Sequence, residues 1–293
     1  MSAADLVLVP GETPFPVRAL QVRPQPDRLF FRGDIEALSG RCVAIVGARD
    51  PTPYGMRVAW EAAQAVSRAG LVVLSGMARG LDAQAHRAAL AAGGRTVAVL
   101  GCGLDVAYPR QNRDLRAAIP ERGALITEFK NGTRPAQWTF PRRNRLIAAL
   151  AETVLVVEGR PRGGTSNVVE WMNELGRSIW AVPGRLGDPL SDGPNLLIQQ
   201  GAHLYREPRD LLEALGVPQP EGGAPMPAPR PVPTELTGAE ATLFDLMSPD
   251  PVHVDDIATR AALDPGLLLA ALSTLELQGL VRQLPGKRFA LAS

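Results

Sequence analysis

Six short, nearly unbroken apolar runs lie between residues 42 and 184, and no other feature narrows the fold as much. They are CVAIVG (42–47), LVVLSG (71–76), TVAVLG (96–101), ALITE (124–128), TVLVVEG (153–159) and SIWAVPG (178–184). A strand that is apolar at every position is covered on both faces, as inside a parallel sheet flanked by helices. Helical patterns intervene, among them residues 55–70 and 82–93. Alternation of this kind requires right-handed crossovers. The expected fold class is therefore α/β, a doubly wound, mostly parallel, extended Rossmann-like sheet. Ligands of such sheets bind beyond the carboxyl ends of the strands. Four of the six runs end there directly in glycine; ALITE has none, and Pro183 intervenes in the last.

The chain has 293 residues, enough for two domains. Residues 1–40 hold several prolines and the short run Leu29-Phe30-Phe31, and read as an irregular lead-in packed on the core. Residues 41–216 form that core. Residues 217–235, VPQPEGGAPMPAPRPVPTE, have no apolar periodicity and read as a stiff, extended linker. Residues 236–293 contain three helical patterns, with Thr237 and Asp264 as N-caps. Two short strands follow, turning at Pro285-Gly286. That order predicts a small C-terminal winged-helix domain.

No apolar run reaches the ~18 residues of a membrane span, and the N-terminus lacks a signal-peptide pattern. A cytoplasmic location is expected. Cys42 and Cys102 have no metal or redox spacing, and His86, His203 and His253 lie far apart, so neither a metal nor another cofactor is expected. Charge is uneven. Residues 41–216 carry 22 basic and 16 acidic residues, whereas residues 236–293 carry 4 and 7. A basic core and an acidic tail predict different partners.

The strand ends carry the chemistry. Gly47-Ala48-Arg49 closes the first run, and a helix opens near Gly55. There is no GxGxxG, so the dinucleotide fingerprint is absent. Glycine permits close approach, a helix start offers free N–H groups, and Arg49 supplies a planar fork for phosphate. Ser75-Gly76 closes the second run; beyond it, Asp82 and His86 stand four apart, which suits a hydrogen bond within a helix better than a catalytic pair. Arg110 follows the third run. The most informative stretch is NGTRPAQWTFPRRNRLIAAL (131–150), with Arg134, Arg142, Arg143 and Arg145, Trp138 and Phe140, and no acid. Arginines interleaved with rings suit single-stranded nucleic acid, the arginines following phosphates and the rings stacking on bases. Trp138 is the better stacking candidate; Phe140 serves equally well as a core residue. Gly163-Gly164-Thr165-Ser166, ahead of a helix, is a further turn suited to an anion.

Taken in order, VAIVGARDPTPYG, SGMARGLDAQAH, VAVLGCGLDVAYPRQN, ITEF, FPRRNRLIA, the GGTS turn, ELGR, AVPG and GPNLLIQQGA resemble the DNA-processing protein A (DprA) family over about residues 37–216. The acidic tail is similar to the winged helix of many members. The resemblance implies a homodimer that binds single-stranded DNA and loads the recombinase RecA onto it in natural transformation and homologous recombination. It implies no enzymatic activity. By position, its DNA contacts fall on Arg49, on the Ser75-Gly76 turn, on Arg110, on the segment before FPRRN and on the turn at Gly163; with the residue patterns above, the candidate contacts are Gly47, Arg49, Ser75, Gly76, Arg110, Arg134, Trp138, Phe140, Arg142, Asn144, Arg145, Gly163, Gly164, Thr165 and Ser166. Two departures stand out: Gln137 replaces a basic residue that often precedes the FPxRN phenylalanine, and Gly163-Gly164-Thr165 replaces an SGS turn.

Two alternatives compete. A nucleoside-monophosphate phosphoribohydrolase would use a similar core with a PGGxGTxxE motif; here Glu170 lies five residues after Thr165 instead of three. A double-strand-specific regulator would read DNA through the winged helix. Its net charge of −3 and a third helix without a basic residue favour a protein partner for this tail.

Overall fold

The computed structural model describes residues 5–217, 236, 238–247 and 251–291. The chain divides into two compact units, Met1–Pro220 and Glu221–Ser293.

The first unit opens with β1 (Leu6–Leu8) and β2 (Leu29–Gly33), then β3 (Cys42–Val46), α1 (Pro53–Arg68), β4 (Val72–Ser75), α2 (Leu81–Ala91) and β5 (Thr96–Val99). It continues through α3 (Arg113–Arg122), β6 (Ala124–Thr127), α4 (Thr139–Leu150), β7 (Thr153–Val156), α5 (Ser166–Glu174) and β8 (Ser178–Ala181). It closes with α6 (Asp192–Gln199), β9 (His203–Leu204) and α7 (Pro208–Ala214). The nine strands form one sheet in the order β1-β2-β6-β5-β4-β3-β7-β8-β9. All pairs from β6 to β9 are parallel. The fold is thus the doubly wound, mostly parallel sheet expected from the apolar runs.

Strand pleating sends alternate residues to opposite faces. Along β3, Val43 and Ile45 pack with α1 and α2, while Cys42, Ala44 and Val46 pack toward α4. Both faces are therefore core, which explains the unbroken apolar runs. Chain order grows from β3 toward β6 on one side and from β7 toward β9 on the other. The crevice between the carboxyl ends of β3 and β7 is the switch point at which doubly wound sheets bind ligands.

Residues 5–40 are more regular than an irregular lead-in. Leu29 and Phe31 are fully buried with Phe30 between them half-buried, the period-two pattern of a strand. β2 pairs antiparallel with the free edge of β6, Phe31 opposite Ile126, and β1 adds outside it. The pattern is only one and a half repeats long and lies among prolines, so periodicity alone conceals it.

The second unit holds α8 (Ala239–Leu246), β10 (Val252–His253), α9 (Val254–Ala261), α10 (Pro265–Leu277), β11 (Val281–Leu284) and β12 (Arg288–Leu291). Leu243, Ile257, Leu268, Leu272, Leu275 and Phe289 close its core. The sheet runs β10-β12-β11 and is antiparallel, making the predicted winged helix. Asp264 caps α10 by accepting the Gly266 N–H at 3.0 Å. The cap assigned to Thr237 and nearly all of the 217–235 linker lie outside the described residues.

Candidate nucleic-acid interface

A cleft of about 780 Å³ opens at the switch point, with Gly47, Arg49, Phe140, Asn144 and the turn 163–165 among its walls. A second cleft of about 240 Å³ lies beside it, reaching Gly76, Gly101 and Tyr108. Phe140, Arg49, Ala78 and Arg143 line both, so Phe140 forms part of the wall between them. The ring is half-buried, 5.9 Å from the ring of Tyr108. The exposed Arg49 guanidinium lies 5.4 Å over it, a cation–π contact that holds the fork at the mouth of the cleft.

The remaining predicted residues divide into three groups. Arg110, Arg134, Trp138 and Arg142 are exposed. Trp138 is 57% exposed and rests edge-on against Phe129, 5.5 Å between centroids. Arg142 lies 5.8 Å over the same Phe129 ring, so the start of α4 presents ring and guanidinium side by side. Asn144 is buried; it donates to the Gly164 carbonyl at 3.2 Å and accepts from Arg143 Nε at 3.0 Å, tying α4 to the turn before α5. Within that turn the Gly163 N–H is taken by Ser166 Oγ at 2.9 Å. The amides of Gly164 and Thr165 have no acceptor among the described residues.

Ser75 and Arg145 belong inside. Ser75 is fully buried and donates to the Ile45 carbonyl at 2.6 Å. Arg145, 2% exposed, makes a two-pronged pair with Glu128 at 2.7 and 2.6 Å. Neither presents a donor to the cleft, which corrects their assignment as direct contacts: α4 is buried along its whole length after Arg142, so its later arginine has no solvent face.

Two of the expected phosphate cradles are already filled by the chain's own acids. Glu158, 3% exposed, accepts the Thr52 N–H at 2.9 Å and the Thr52 hydroxyl at the start of α1. Asp82 accepts the amides of Gly76 and Ala78 at 3.1 and 3.2 Å. The intervening Met77 has φ of 61°, so residues 76–78 form an anion-holding nest with an internal occupant. Burial pushes the Asp82 carboxyl upward against the opposing pull of Arg143. It pushes Glu158 upward against the Thr52 hydrogen bonds. Gly47 accommodates protein too: a Cβ there would meet Leu81 and the Glu158 backbone.

Arg143, Asp82 and Glu158 underlie the cleft: the sequence pattern counts Arg143 with the arginines of 131–150 without revealing its burial, reads Asp82 as a helix hydrogen bond, and does not single out Glu158. Arg143 is buried and donates to the carbonyls of Gly76 and Val99, the latter at 2.6 Å. A Cβ on Gly76 would strike its guanidinium. Asp82 and His86 do not bond each other; His86 Nδ1 meets Thr96 Oγ1 at 2.6 Å. Among the described residues no group of three metal-ligating side chains converges, and no helix is long and apolar enough to cross a membrane.

Fold and site together define a doubly wound α/β protein with an arginine-rimmed cleft at its switch point, joined in one chain to a winged helix. The family described as DNA recombination-mediator protein A matches residues 6–216, and the DprA winged helix domain matches residues 226–287. Protein Smf of Escherichia coli (strain K12) is 37% identical over 287 residues, covering 95% of this chain and 76% of that protein. The structure of DNA processing protein A from Streptococcus pneumoniae superposes with TM-score 0.68 at 36% identity, over 71% of this chain and 73% of that one. DNA processing protein A from Helicobacter pylori, described for its single-stranded DNA binding mode, gives TM-score 0.67 at 27% identity, over 73% and 98%. The chain belongs to the DNA recombination-mediator protein A (DprA) family.

Proposed function

We propose that this protein binds single-stranded DNA along the Arg49–Phe140 cleft and the start of α4, and delivers RecA onto it during recombination and transformation. The observation that carries the reading is the pairing of exposed arginines with rings: Arg49 lies over Phe140 at the cleft mouth, and Arg142 lies over Phe129 beside Trp138 at the start of α4. Rings accept the face of any base, and arginines follow the backbone without reading sequence. The open amides of Gly164 and Thr165 add a phosphate site at the start of α5. Arg110 and Arg134 extend the path. Arg143, Asp82 and Asn144 act beneath it as positioning residues.

The protein works as a binding platform rather than an enzyme. Glu170, the residue nearest in sequence to a hydrolase glutamate, lies outside this cleft, beside Asn173 and Gln200. The functional unit is a homodimer in the cytoplasm. The winged helix takes a protein partner: α10 has no basic residue and exposes Leu267, Leu269 and Leu277.

Titration with oligonucleotides of graded length at two salt concentrations tests the reading. Single strands should bind tightly regardless of sequence, with log affinity falling by about 0.7 per phosphate neutralised for each decade of salt. Equal affinity for matched single and double strands would overturn it. RecA delivery is tested by strand exchange with and without the protein. Removing residues 236–293 should leave single-strand binding in place.

A further inference from the structure

The start of α1 is where a doubly wound protein ordinarily holds a nucleotide phosphate, because the first turn offers unpaired amides and the positive end of the helix dipole. Here the place is taken. The Glu158 carboxylate sits against the Thr52 amide and hydroxyl and also draws a backbone bond from Gly55. A Cβ on Gly55 would coincide with the carboxylate, so this glycine admits Glu158 and not an external ligand. The acid comes from the end of the strand adjacent to β3. Its neighbour Gly159 and the nearby Asp188 both line the large cleft. Glu158 itself is buried beneath this wall; the charged residues that line the cleft are Asp50, Asp82 and Asp188 with Arg49, Arg143 and Arg160.

We propose that Glu158 is a resident anion that bars phosphate from the start of α1 and makes the cleft select phosphodiesters over phosphomonoesters. The inference rests on the single-strand reading above and deepens it. A phosphodiester carries one negative charge; a phosphomonoester carries nearly two at neutral pH, its second ionisation lying near pH 6. The monoester therefore meets about twice the repulsion from Glu158, which the cleft's arginines must offset. Free nucleotides would otherwise compete for the cleft with every strand of DNA.

The test is competition against a fluorescent thymidine oligonucleotide bound to the full-length chain, at about pH 8, where the monoester carries its second charge. The competitors are thymidine 5′-monophosphate and its methyl ester, thymidine 5′-methyl phosphate, which has the same single base, one diester and no terminal phosphate. The wild type should prefer the diester by about tenfold or more. Glu158→Gln keeps the size and the bond accepted from the Thr52 N–H, turns its amide NH2 as a donor toward the Thr52 hydroxyl, and removes the charge. In that variant the monophosphate should gain about tenfold, with the diester changing less than about threefold. A monophosphate that matches the diester on the wild type overturns the proposal, as does Glu158→Gln raising both equally or neither. The wild-type comparison decides the matter even if the variant misfolds. A second readout is thermal stabilisation by inorganic phosphate, expected for Glu158→Gln and not for the wild type; no difference counts against the proposal. If the wild type fails to bind the oligonucleotide at all, the single-strand reading falls, and the phosphate arm still tests Glu158 by itself.

Discussion

Acid should destabilise this fold through one histidine. His86 is completely buried. Thr96 Oγ1 donates to the Val73 carbonyl at 2.8 Å, so it must accept from His86, which fixes the proton on Nδ1. Nε2 is then a bare acceptor, and it has no partner among the described residues. A second proton would create a buried cation with nothing to receive its N–H, close to Arg143 and Arg87. Burial first, then those two arginines, lower the His86 pKa to about 3 from 6.5. Because the folded pKa is the lower one, the unfolded chain holds the extra proton between about pH 6.5 and 3. This contribution to stability is complete above that window and lost as pH falls through it. The slope is about 1.4 kcal/mol per pH unit, or roughly 2 kcal/mol between pH 6.5 and 5. Denaturant unfolding at pH 7, 6 and 5, at constant ionic strength, reads it. Other carboxyls titrate in the same range, so the quantity to compare is the difference from His86→Leu, which keeps the Thr96–Val73 bond and removes the titration. The variant should show a shallower acid slope by that amount. Parallel slopes for the two proteins would refute the reasoning.

Arg49→Ala should weaken single-strand binding about tenfold or more, by loss of a charge-assisted contact of order 1.5–3 kcal/mol, and should reduce the salt slope by about 0.7; an unchanged slope in the same titrations would show that Arg49 touches no phosphate. Trp138→Ala should cost about 1–3 kcal/mol of binding if a base stacks there, with no change in melting temperature, since the ring is more than half exposed. Arg145→Ala should act on folding instead, destabilising by about 3 kcal/mol because it removes the two-pronged partner of the buried Glu128 carboxylate and leaves it only the longer contact to Arg142 at 3.5 Å. A stable Arg145→Ala protein with weak DNA binding would return this arginine to the interface.

The sheet was legible because burial on both faces leaves an unmistakable residue pattern. The edge strands were not: β1 and β9 have only three and two residues, and β2, though as long as β3, is fully buried at only two of its five positions and so lacks the unbroken apolar run. The winged helix was legible from element order and its Pro-Gly turn. Within the site, exposure decided the outcome. RRNR in α4 places Arg142 outside and Arg143, Asn144 and Arg145 inside, yet on an amphipathic surface helix about half of such a run would face water. α4 packs against the sheet and the N-terminal segment together, so amphipathic periodicity had no purchase on it.

The glycine-rich strand ends illustrate a deeper limit. A glycine after a strand marks a place where something approaches the backbone closely; it does not say what. At Gly47 the visitor is Leu81 and the Glu158 backbone, at Gly55 the Glu158 carboxylate, and at Gly76 the Arg143 guanidinium. Amide cradles are equally silent about their occupant, because an Asp or Glu distant in sequence satisfies them as well as a phosphate does. Asp82 lies six residues from Gly76, and Glu158 lies 106 from Thr52; the second distance is beyond any local motif. What separates an external anion site from an internal one is whether the acid is supplied by the fold. By that criterion the 163–165 turn is the one cradle, of the three described, left open to a ligand. Phosphate recognition therefore rests on that turn and the exposed arginines, and the acids beneath the other two loops shape what the cleft will refuse.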